Sequence, residues 1–174
     1  KDNCIRIFSE RFLNMNNYHN ITSSYSFTVE KDCVLTLDVG IDSKVWNLNG
    51  KHLIKEKVGE ENNILYSYST TSEKGRPFAV ALGICEDFQS DYDLIIKNEK
   101  IIRRYKIKCY AGQTRTIHKH ASVFYDNDAL VNALANVRLQ ISNGYNNELA
   151  NHTNCWKKLW KIADVKLKGD NDAT

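Results

Sequence analysis

Close pairs of carboxylates are the residues of this sequence whose type and spacing could do acid–base chemistry. Two acids side by side, or separated by one residue, could act as proton donor and acceptor. The pairs are Asp91 with Asp93, Asp126 with Asp128, Glu86 with Asp87, and Glu60 with Glu61. We interpret all of them as loop or cap residues, because a carboxylate just before a helix accepts the free N–H groups of its first turn. No catalytic residue is therefore predicted.

His118 and His120 share one face of a predicted strand and could bind a metal. No Cys, Asp or third His stands beside them at ligand spacing, so we expect histidines on a solvent-facing strand and no metal site. The sequence contains neither a Gly-rich phosphate-binding motif such as GxGxxG nor a GxSxG nucleophile turn. No cofactor is predicted.

Charge and cysteine content exclude several kinds of partner. The 24 Lys and Arg against 21 Asp and Glu leave a net charge of +3, too small to indicate nucleic acid or an anionic membrane. Apolar runs stay below the ~20 residues that span a bilayer. The 5 cysteines form no CxxC pair and favour a reducing, cytoplasmic location. Cys33, Cys85 and Cys109 fall on apolar strand positions and are predicted to be buried and unpaired.

Alternating apolar residues predict a mainly β fold of about nine strands. The clearest segments are residues 5–7, 21–29, 33–41, 64–68, 78–84, 94–96, 101–109 and 115–125. Short links and the lack of a βαβ crossover favour antiparallel pairing throughout. The polar link from Glu30 to Asp32 predicts that the second and third strands form a hairpin.

Two helices are predicted after the strands. The first has N-cap candidates at Asp126 and Asp128 and ends at Asn143 and Gly144. The second carries a stripe at spacings of three or four, made of Leu149, His152, Trp156, Trp160 and Ala163. A stripe broad enough to bury two indoles needs a partner surface.

The connection over residues 45–52 is the best candidate for a functional surface. It interrupts two strands with a turn at Asn49 and Gly50. Its candidate ligand-contacting residues are Trp46, Asn47, Asn49 and His52. Polar and aromatic side chains on such a loop could contact a ligand. The alternative is an ordinary long hairpin whose Trp46 caps the edge of the sheet.

Two stretches resemble the N-terminal domain of the family-65 glycoside hydrolases and disaccharide phosphorylases. The first comprises Arg11, Phe12, Leu13, Asn14, Met15, His19, Gly40, Ile41, Asp42, Asn49, Gly50, His52 and Leu53. The second, which is more specific, comprises Gly144, Tyr145, His152, Trp156, Trp160, Asp164, Val165, Gly169 and Asp170. The Gly-rich strands expected upstream of Lys1 are missing.

This resemblance implies an antiparallel β-supersandwich of the galactose-mutarotase type over residues 1–125. Residues 126–174 would be linker helices and an exit segment toward a missing (α/α)6 catalytic barrel. The family's catalytic glutamate and phosphate site belong to that barrel, so this chain alone is expected to be inactive. The parent enzyme would convert an α-linked glucosyl disaccharide and phosphate to glucose 1-phosphate. Here the domain would support the barrel, shape the substrate entrance through residues 45–52, and contribute to a homodimer interface.

The rival interpretation is a free-standing carbohydrate-binding or interaction sandwich with a helical hairpin appended. The two interpretations differ at the tryptophan helix. A severed linker helix leaves at least one indole partly exposed in this chain, whereas a complete module buries both Trp156 and Trp160.

Overall fold

The computed structural model describes residues 4–44, 48 and 50–165 of the 174-residue chain. Their strands and helices, in chain order, are β1 Ile5–Leu13, β2 Asn20–Val29, β3 Cys33–Asp42, β4 Leu53–Glu61, β5 Ile64–Thr71, β6 Pro77–Glu86, β7 Tyr92–Lys97, β8 Lys100–Cys109, β9 Thr114–Tyr125, α1 Ala129–Asn143 and α2 Tyr145–Ala163. The prediction of a mainly β fold that ends in two helices is confirmed. None of the helices in the described part of the chain is long and apolar enough to cross a membrane.

The strands form two antiparallel sheets that enclose one core. Sheet A has the order β1-β2-β9-β6-β5-β4, and sheet B has the order β3-β8-β7. Side chains from both sheets meet in a buried cluster that includes Phe27, Leu65, Leu82, Tyr105, Ile107 and Ile117. The antiparallel pairing predicted from the short links and the sandwich implied by the resemblance are therefore both present, with β1 and β4 as the edges of sheet A.

The predicted hairpin between β2 and β3 is wrong. β2 uses both of its edges inside sheet A, where it pairs with β1 and β9. β3 instead pairs with β8 in sheet B. The link over residues 30–32 crosses between the sheets and is held by a bond from the Ala111 N–H to Asp32 Oδ1 at 2.7 Å. A short polar link is compatible with either arrangement, and the occupied edges of β2 decide between them.

Helix α1 packs on sheet A because one face of β6 is made of small residues. Ala79 and Ala81 are fully buried on that face. A Cβ added at Gly83 would lie 2.5 Å from Ile141 Cδ1 and 2.8 Å from Val137 Cγ1, so glycine allows this approach without a shift of those side chains. The helix thereby closes a second core on the outside of sheet A. Both faces of β6 are consequently covered, which explains its near-continuous apolar sequence.

The predicted side-chain hydrogen bond at the N-cap of α1 is absent. Asp128 occupies the cap position, but its φ is 61° and its side chain makes no cap bond. Asp126 has a φ of 69°, and its carboxylate faces Arg76 at 3.8 Å. Aspartate tolerates this left-handed backbone, which here turns the chain from β9 onto the outer face of the sheet. The predicted stop is confirmed, since Gly144 follows α1 with a φ of 76°.

The cysteine prediction is confirmed in part. Cys4, Cys33, Cys85, Cys109 and Cys155 are all free thiols. Cys109 is buried, while Cys33 and Cys85 are only half-buried. Burial raises the pKa of the Cys85 and Cys109 thiols, so both are poor nucleophiles at neutral pH.

A buried ion pair joins the two sheets. Arg103 of β8 is 3% exposed, and its Nη2 lies 2.8 Å from Glu60 Oε1 of β4. The Tyr92 hydroxyl donates to the same carboxylate at 3.0 Å. The Arg103 guanidinium also lies over the Tyr92 ring, 4.5 Å from its centroid. The sequence interpretation of Glu60 as a loop acid is therefore wrong, because Glu60 is the counter-ion of a buried cation.

We expect Glu60→Ala to lower the free energy of unfolding by about 3–5 kcal/mol, because it leaves the Arg103 charge buried and uncompensated. The neighbouring Glu61 provides a matched control. Its pair with Arg138 is about half exposed, so Glu61→Ala should cost no more than about 1 kcal/mol. Urea unfolding of both variants measures the difference. Equal losses would contradict the importance assigned to the inter-sheet pair.

Candidate functional site

The C-terminal part of α2 extends past the body of the domain. Every residue from Trp156 to Val165 is exposed, and we call this segment the α2 overhang. Trp156 is 36% exposed and Trp160 57% exposed. Their rings stack on each other with centroids 6.3 Å apart, so each shields the other in place of a protein core. The expectation that at least one indole is partly exposed is confirmed.

A buried carboxylate holds the first turn of α2 against the turn between β1 and β2. Glu148 is 3% exposed. It accepts a hydrogen bond from Asn14 Nδ2 at 2.5 Å and one from Asn143 Nδ2 at 2.9 Å. Asn14 is itself buried, and its Oδ1 accepts the Asn16 N–H at 2.8 Å. A carboxylate in the first turn is also favoured by the helix dipole, which helps to offset its burial.

Aromatic contacts between α2 and Phe12 of β1 fix the point at which the helix leaves the sheet. The Phe12 ring lies 6.1 Å from the Tyr145 ring and 4.7 Å from the His152 ring, measured between centroids. The Met15 N–H donates to His152 Nδ1 at 3.3 Å. Since Met15 follows the end of β1, His152 marks the rim of sheet A. Trp160 lies eight residues later, roughly 12 Å farther along the helix axis.

His118 and His120 do not face solvent, so the interpretation of a wet strand face is wrong. The His118 ring stacks on the Tyr145 ring, with centroids 4.4 Å apart, and His120 is 1% exposed. Helix packing on this side of sheet A was not visible in the alternation of β9. Burial lowers the pKa of both imidazoles, partly offset by Asp87 at His118 and by Glu148 at His120. Within the described residues, no group of three or more potential ligands could hold a metal.

Tyr145 completes this layer between α2 and sheet A. Its hydroxyl donates to Glu10 Oε2 of β1 at 2.5 Å. Burial raises its pKa, and the hydrogen bond to the Glu10 carboxylate adds to that effect. A neutral tyrosine therefore ties the first turn of α2 to the edge strand of the sheet.

Half of the candidate loop over residues 45–52 lies outside the described residues, including Trp46, Asn47 and Asn49. Its last part is described. His52 Nδ1 pairs with Glu73 Oε1, and the His52 carbonyl accepts the Ser72 N–H at 2.8 Å. The bond from His52 lowers the pKa of the Glu73 carboxyl. Thus His52 is held against the turn between β5 and β6, with its imidazole 42% exposed.

Both candidate features lie at the same end of sheet A. The register pairs Asn20 with Ser122, and Phe78 with Tyr125, so the β1-β2 turn, the β5-β6 turn and the start of β4 share that end. The α2 overhang passes this end beside β1, and His52 lies beside β4. Five inter-strand spacings of about 4.8 Å separate the two edges, or roughly 24 Å.

Comparison with known proteins decides the family. The chain matches the model of the N-terminal domain of glycosyl hydrolase family 65 over residues 1–159. It belongs to this family. The resemblance noted in the motifs is therefore confirmed.

Three curated relatives of this family-65 domain are phosphorylases. They are nigerose phosphorylase of Lachnoclostridium phytofermentans, 24% identical over 97% of the chain, maltose phosphorylase of Bacillus subtilis, 25% identical over 99%, and 1,2-alpha-glucosylglycerol phosphorylase of Bacillus selenitireducens, 23% identical over 95%. The chain covers 26%, 24% and 22% of their respective lengths. It thus spans about a quarter of the curated relatives that it matches.

A solved structure shares the fold. It is described as a kojibiose phosphorylase from the human microbiome and superimposes with a TM-score of 0.82 at 15% identity. The superposition covers 92% of this chain and 22% of that one. In the family-65 domain described here, the two motif stretches meet in space. Asn14 and Met15 of the first stretch contact α2, which carries most of the second.

The buried His120 and the half-buried His118 predict a pH dependence of stability. Their folded-state pKa values lie below the ordinary value of about 6.5, so the folded protein binds fewer protons than the unfolded chain near that pH. Stability is then complete above about pH 6.5 and falls as the pH drops below it, by at most about 1.4 kcal/mol per pH unit for each histidine.

We expect His120→Gln to flatten this slope in urea unfolding between pH 5 and pH 7. Val131→Ala supplies the control, because Val131 is exposed and does not titrate, so this change should leave the slope unchanged. A wild-type protein whose unfolding free energy rises on acidification through this range would contradict the burial of neutral imidazoles.

Proposed function

We propose that this chain is the non-catalytic N-terminal domain of a larger disaccharide phosphorylase, and that the α2 overhang packs against the catalytic part of the same polypeptide. The observation that carries the proposal is the run of exposed residues from Trp156 to Val165 on a chain that matches about a quarter of its relatives. Residues 1–125 would form the sandwich, and residues 126–174 the helices and exit segment that lead to the catalytic barrel.

The α2 overhang exposes large apolar side chains, as expected of a surface that packs against another part of the protein. Besides the two indoles it exposes Leu159, Ile162 and Val165. A buried tryptophan removes on the order of 150–250 Å² from water, so a half-exposed one forgoes roughly 2–3 kcal/mol of stabilisation. Lys157, Lys158 and Lys161 lie between the apolar residues and suit the solvated side of the same helix.

The placement of His52 supports a second role at the same end of the sandwich. A catalytic part seated on the overhang would lie near the end of sheet A where β4 begins. The loop over residues 45–52 would then border the substrate entrance, with Trp46, Asn47, Asn49 and His52 as its candidate contacts. The pairing of His52 with Glu73 anchors the base of that loop.

The relatives indicate the substrate class of the parent enzyme. Those named above are phosphorylases of nigerose, maltose and 1,2-alpha-glucosylglycerol. We infer that the parent transfers a glucosyl group from an α-linked glucoside to phosphate, in the reducing compartment indicated by five free thiols. The domain itself would support the catalytic part and shape the substrate entrance, and it would supply no proton donor.

Two variants of the parent enzyme separate the two roles. Trp160→Ala should lower its melting temperature. The loss in free energy of unfolding should approach the value of about 3–5 kcal/mol expected for a fully buried aromatic. In the 174-residue chain, where Trp160 is 57% exposed, the same change should cost much less. His52→Ala should leave the melting temperature of the parent nearly unchanged and raise the KM for its disaccharide. Differential scanning calorimetry and initial rates of phosphorolysis measure these effects.

Two results would argue against this function. An equal cost of Trp160→Ala in the chain and in the parent would mean that nothing further covers the overhang, as the rival free-standing module requires. Release of glucose 1-phosphate from nigerose, maltose or kojibiose by the 174-residue chain alone would show that the domain is catalytic.

A further inference from the structure

Glu99 has a backbone conformation that glutamate rarely adopts. It is the second residue of the two-residue turn between β7 and β8, and its φ is 63°. The first residue of the turn, Asn98, has a φ of 53°. Turns with two positive φ angles favour asparagine, aspartate and glycine. The turn between β4 and β5 follows that preference, since Asn62 and Asn63 have φ angles of 49° and 61°.

The left-handed conformation of Glu99 carries an energetic cost. In this region the Cβ of an L-residue approaches its own backbone, and asparagine is tolerated better because its short polar side chain forms local hydrogen bonds. Residues held in such a conformation persist where surrounding contacts compensate, and they are concentrated at functional sites. The contacts of Glu99 therefore indicate what this glutamate does. They involve the two residues that flank and end the loop over residues 45–52, Ser43 and Lys51.

Ser43, which follows the end of β3 and precedes the loop, is tied to both sheets. Its N–H donates to the Glu99 carbonyl at 3.1 Å, which joins it to the β7-β8 turn of sheet B. Its hydroxyl donates to the hydroxyl of Ser67 on β5 at 2.9 Å, which joins it to sheet A. Ser67 in turn donates to Glu56 Oε1 at 3.1 Å. The chain therefore enters the loop from a fixed point between the two sheets.

The far end of the loop is also tied to both sheets. Lys51 Nζ pairs with Glu99 Oε1, again at the β7-β8 turn of sheet B. The hydrogen bond to Glu99 raises the pKa of the Lys51 ammonium, so the pair is ionised at neutral pH. The next residue, His52, is held by Glu73 and by the Ser72 N–H at the β5-β6 turn of sheet A. Glu99 thus contacts the chain on both sides of the loop, through its carbonyl at the start and its carboxylate at the end.

The geometry points to Glu99 as a positioning residue that fixes where the loop over residues 45–52 stands at the substrate entrance. This inference rests on the proposed function, in which that loop borders the entrance. Asparagine at position 99 would suit the turn better, but its side chain is one methylene group shorter and carries no charge to hold Lys51. Position 99 therefore carries a residue that suits the loop better than it suits its own turn.

Glu99→Asn separates the turn from the loop, because it reproduces the residue found at position 63 in the β4-β5 turn. In the 174-residue chain it should leave the melting temperature equal or higher, since asparagine tolerates the left-handed backbone. Amide hydrogen exchange of the peptide over residues 44–52 should become several-fold faster. Lys51→Met should accelerate this exchange equally, and the double variant should add nothing, because both changes remove the same ion pair. Asn63→Gly, at the opposite end of sheet A, is the matched control and should leave the exchange of this peptide unchanged.

The same variants in the parent enzyme test the effect on the reaction. Glu99→Asn and Lys51→Met should each raise the KM for the disaccharide several-fold at a nearly unchanged kcat, because a displaced loop weakens binding of substrate and transition state alike. Asn63→Gly should change neither constant. Initial rates of phosphorolysis over a range of disaccharide concentrations measure both.

The two sets of measurements distinguish failure of this inference from failure of the proposed function. Unchanged exchange in Glu99→Asn, or exchange that rises further in the double variant, would overturn the positioning role of Glu99 whatever the parent enzyme does. A clear fall in the melting temperature of Glu99→Asn would show that Glu99 serves the turn itself, which also overturns the inference. Faster exchange at an unchanged KM would contradict the proposed place of the loop at the substrate entrance, and Glu99 would then position nothing for the reaction.

Discussion

The buried hydrogen bond between Asn14 and Glu148 is the contact on which the direction of α2 depends. It joins residues 134 positions apart in the chain and places the first turn of α2 beside the rim of sheet A. Both side chains are almost fully buried, so loss of either partner would leave a polar group without its hydrogen bond in the interior. With the start of the helix fixed there, its last turns have no part of sheet A beneath them. The exposure of Trp156 and Trp160 follows from that geometry.

The packing of α1 on sheet A also helps to fix the start of α2. Small residues on β6 let α1 lie close to the sheet, and Gly144 then reverses the chain within one residue. Polar side chains add to this packing, since Gln140 Nε2 donates to the Ala121 carbonyl at 3.0 Å. Helix α2 is thus positioned by both the helix before it and the strand turn beneath it. A rigid base of this kind would suit the proposed packing of the two indoles against the catalytic part.

The elements of this fold were accessible to sequence analysis because alternation reports which strand positions are apolar. Alternation locates eight of the strands, whereas capping residues and spacings of three or four locate both helices. β4 is not located, since its sequence from Leu53 to Glu61 is rich in charge and Glu60 finds its partners, Arg103 and Tyr92, on the other sheet. Alternation also carries no information about which strands are neighbours. The β2-β3 hairpin was therefore predicted where the chain crosses between sheets.

In the candidate site, too, the spacing of side chains can be predicted from the sequence, but contacts between distant segments cannot. The tryptophan stripe was recognisable from its spacing, and its exposure follows from a helix longer than the surface beneath it. The burial of His118 and His120 could not be predicted from β9, because the layer that covers them comes from Tyr145 and Glu148, about 25 residues later in the chain. One signal was present in retrospect. Ala79, Ala81 and Gly83 alternate with large apolar residues on β6, which is typical of a strand that accepts a helix on its second face.

The central claim is that the α2 overhang is covered in the parent enzyme, and side-chain footprinting tests it most directly. Hydroxyl-radical labelling of Trp160 should be fast in the 174-residue chain and several-fold slower in the parent. Tyr110 provides an internal reference, because it is 54% exposed in the loop at the opposite end of the sandwich. Slower labelling of Trp160 at an unchanged rate for Tyr110 is the result that we predict. Equal labelling of Trp160 in the two proteins would contradict the claim.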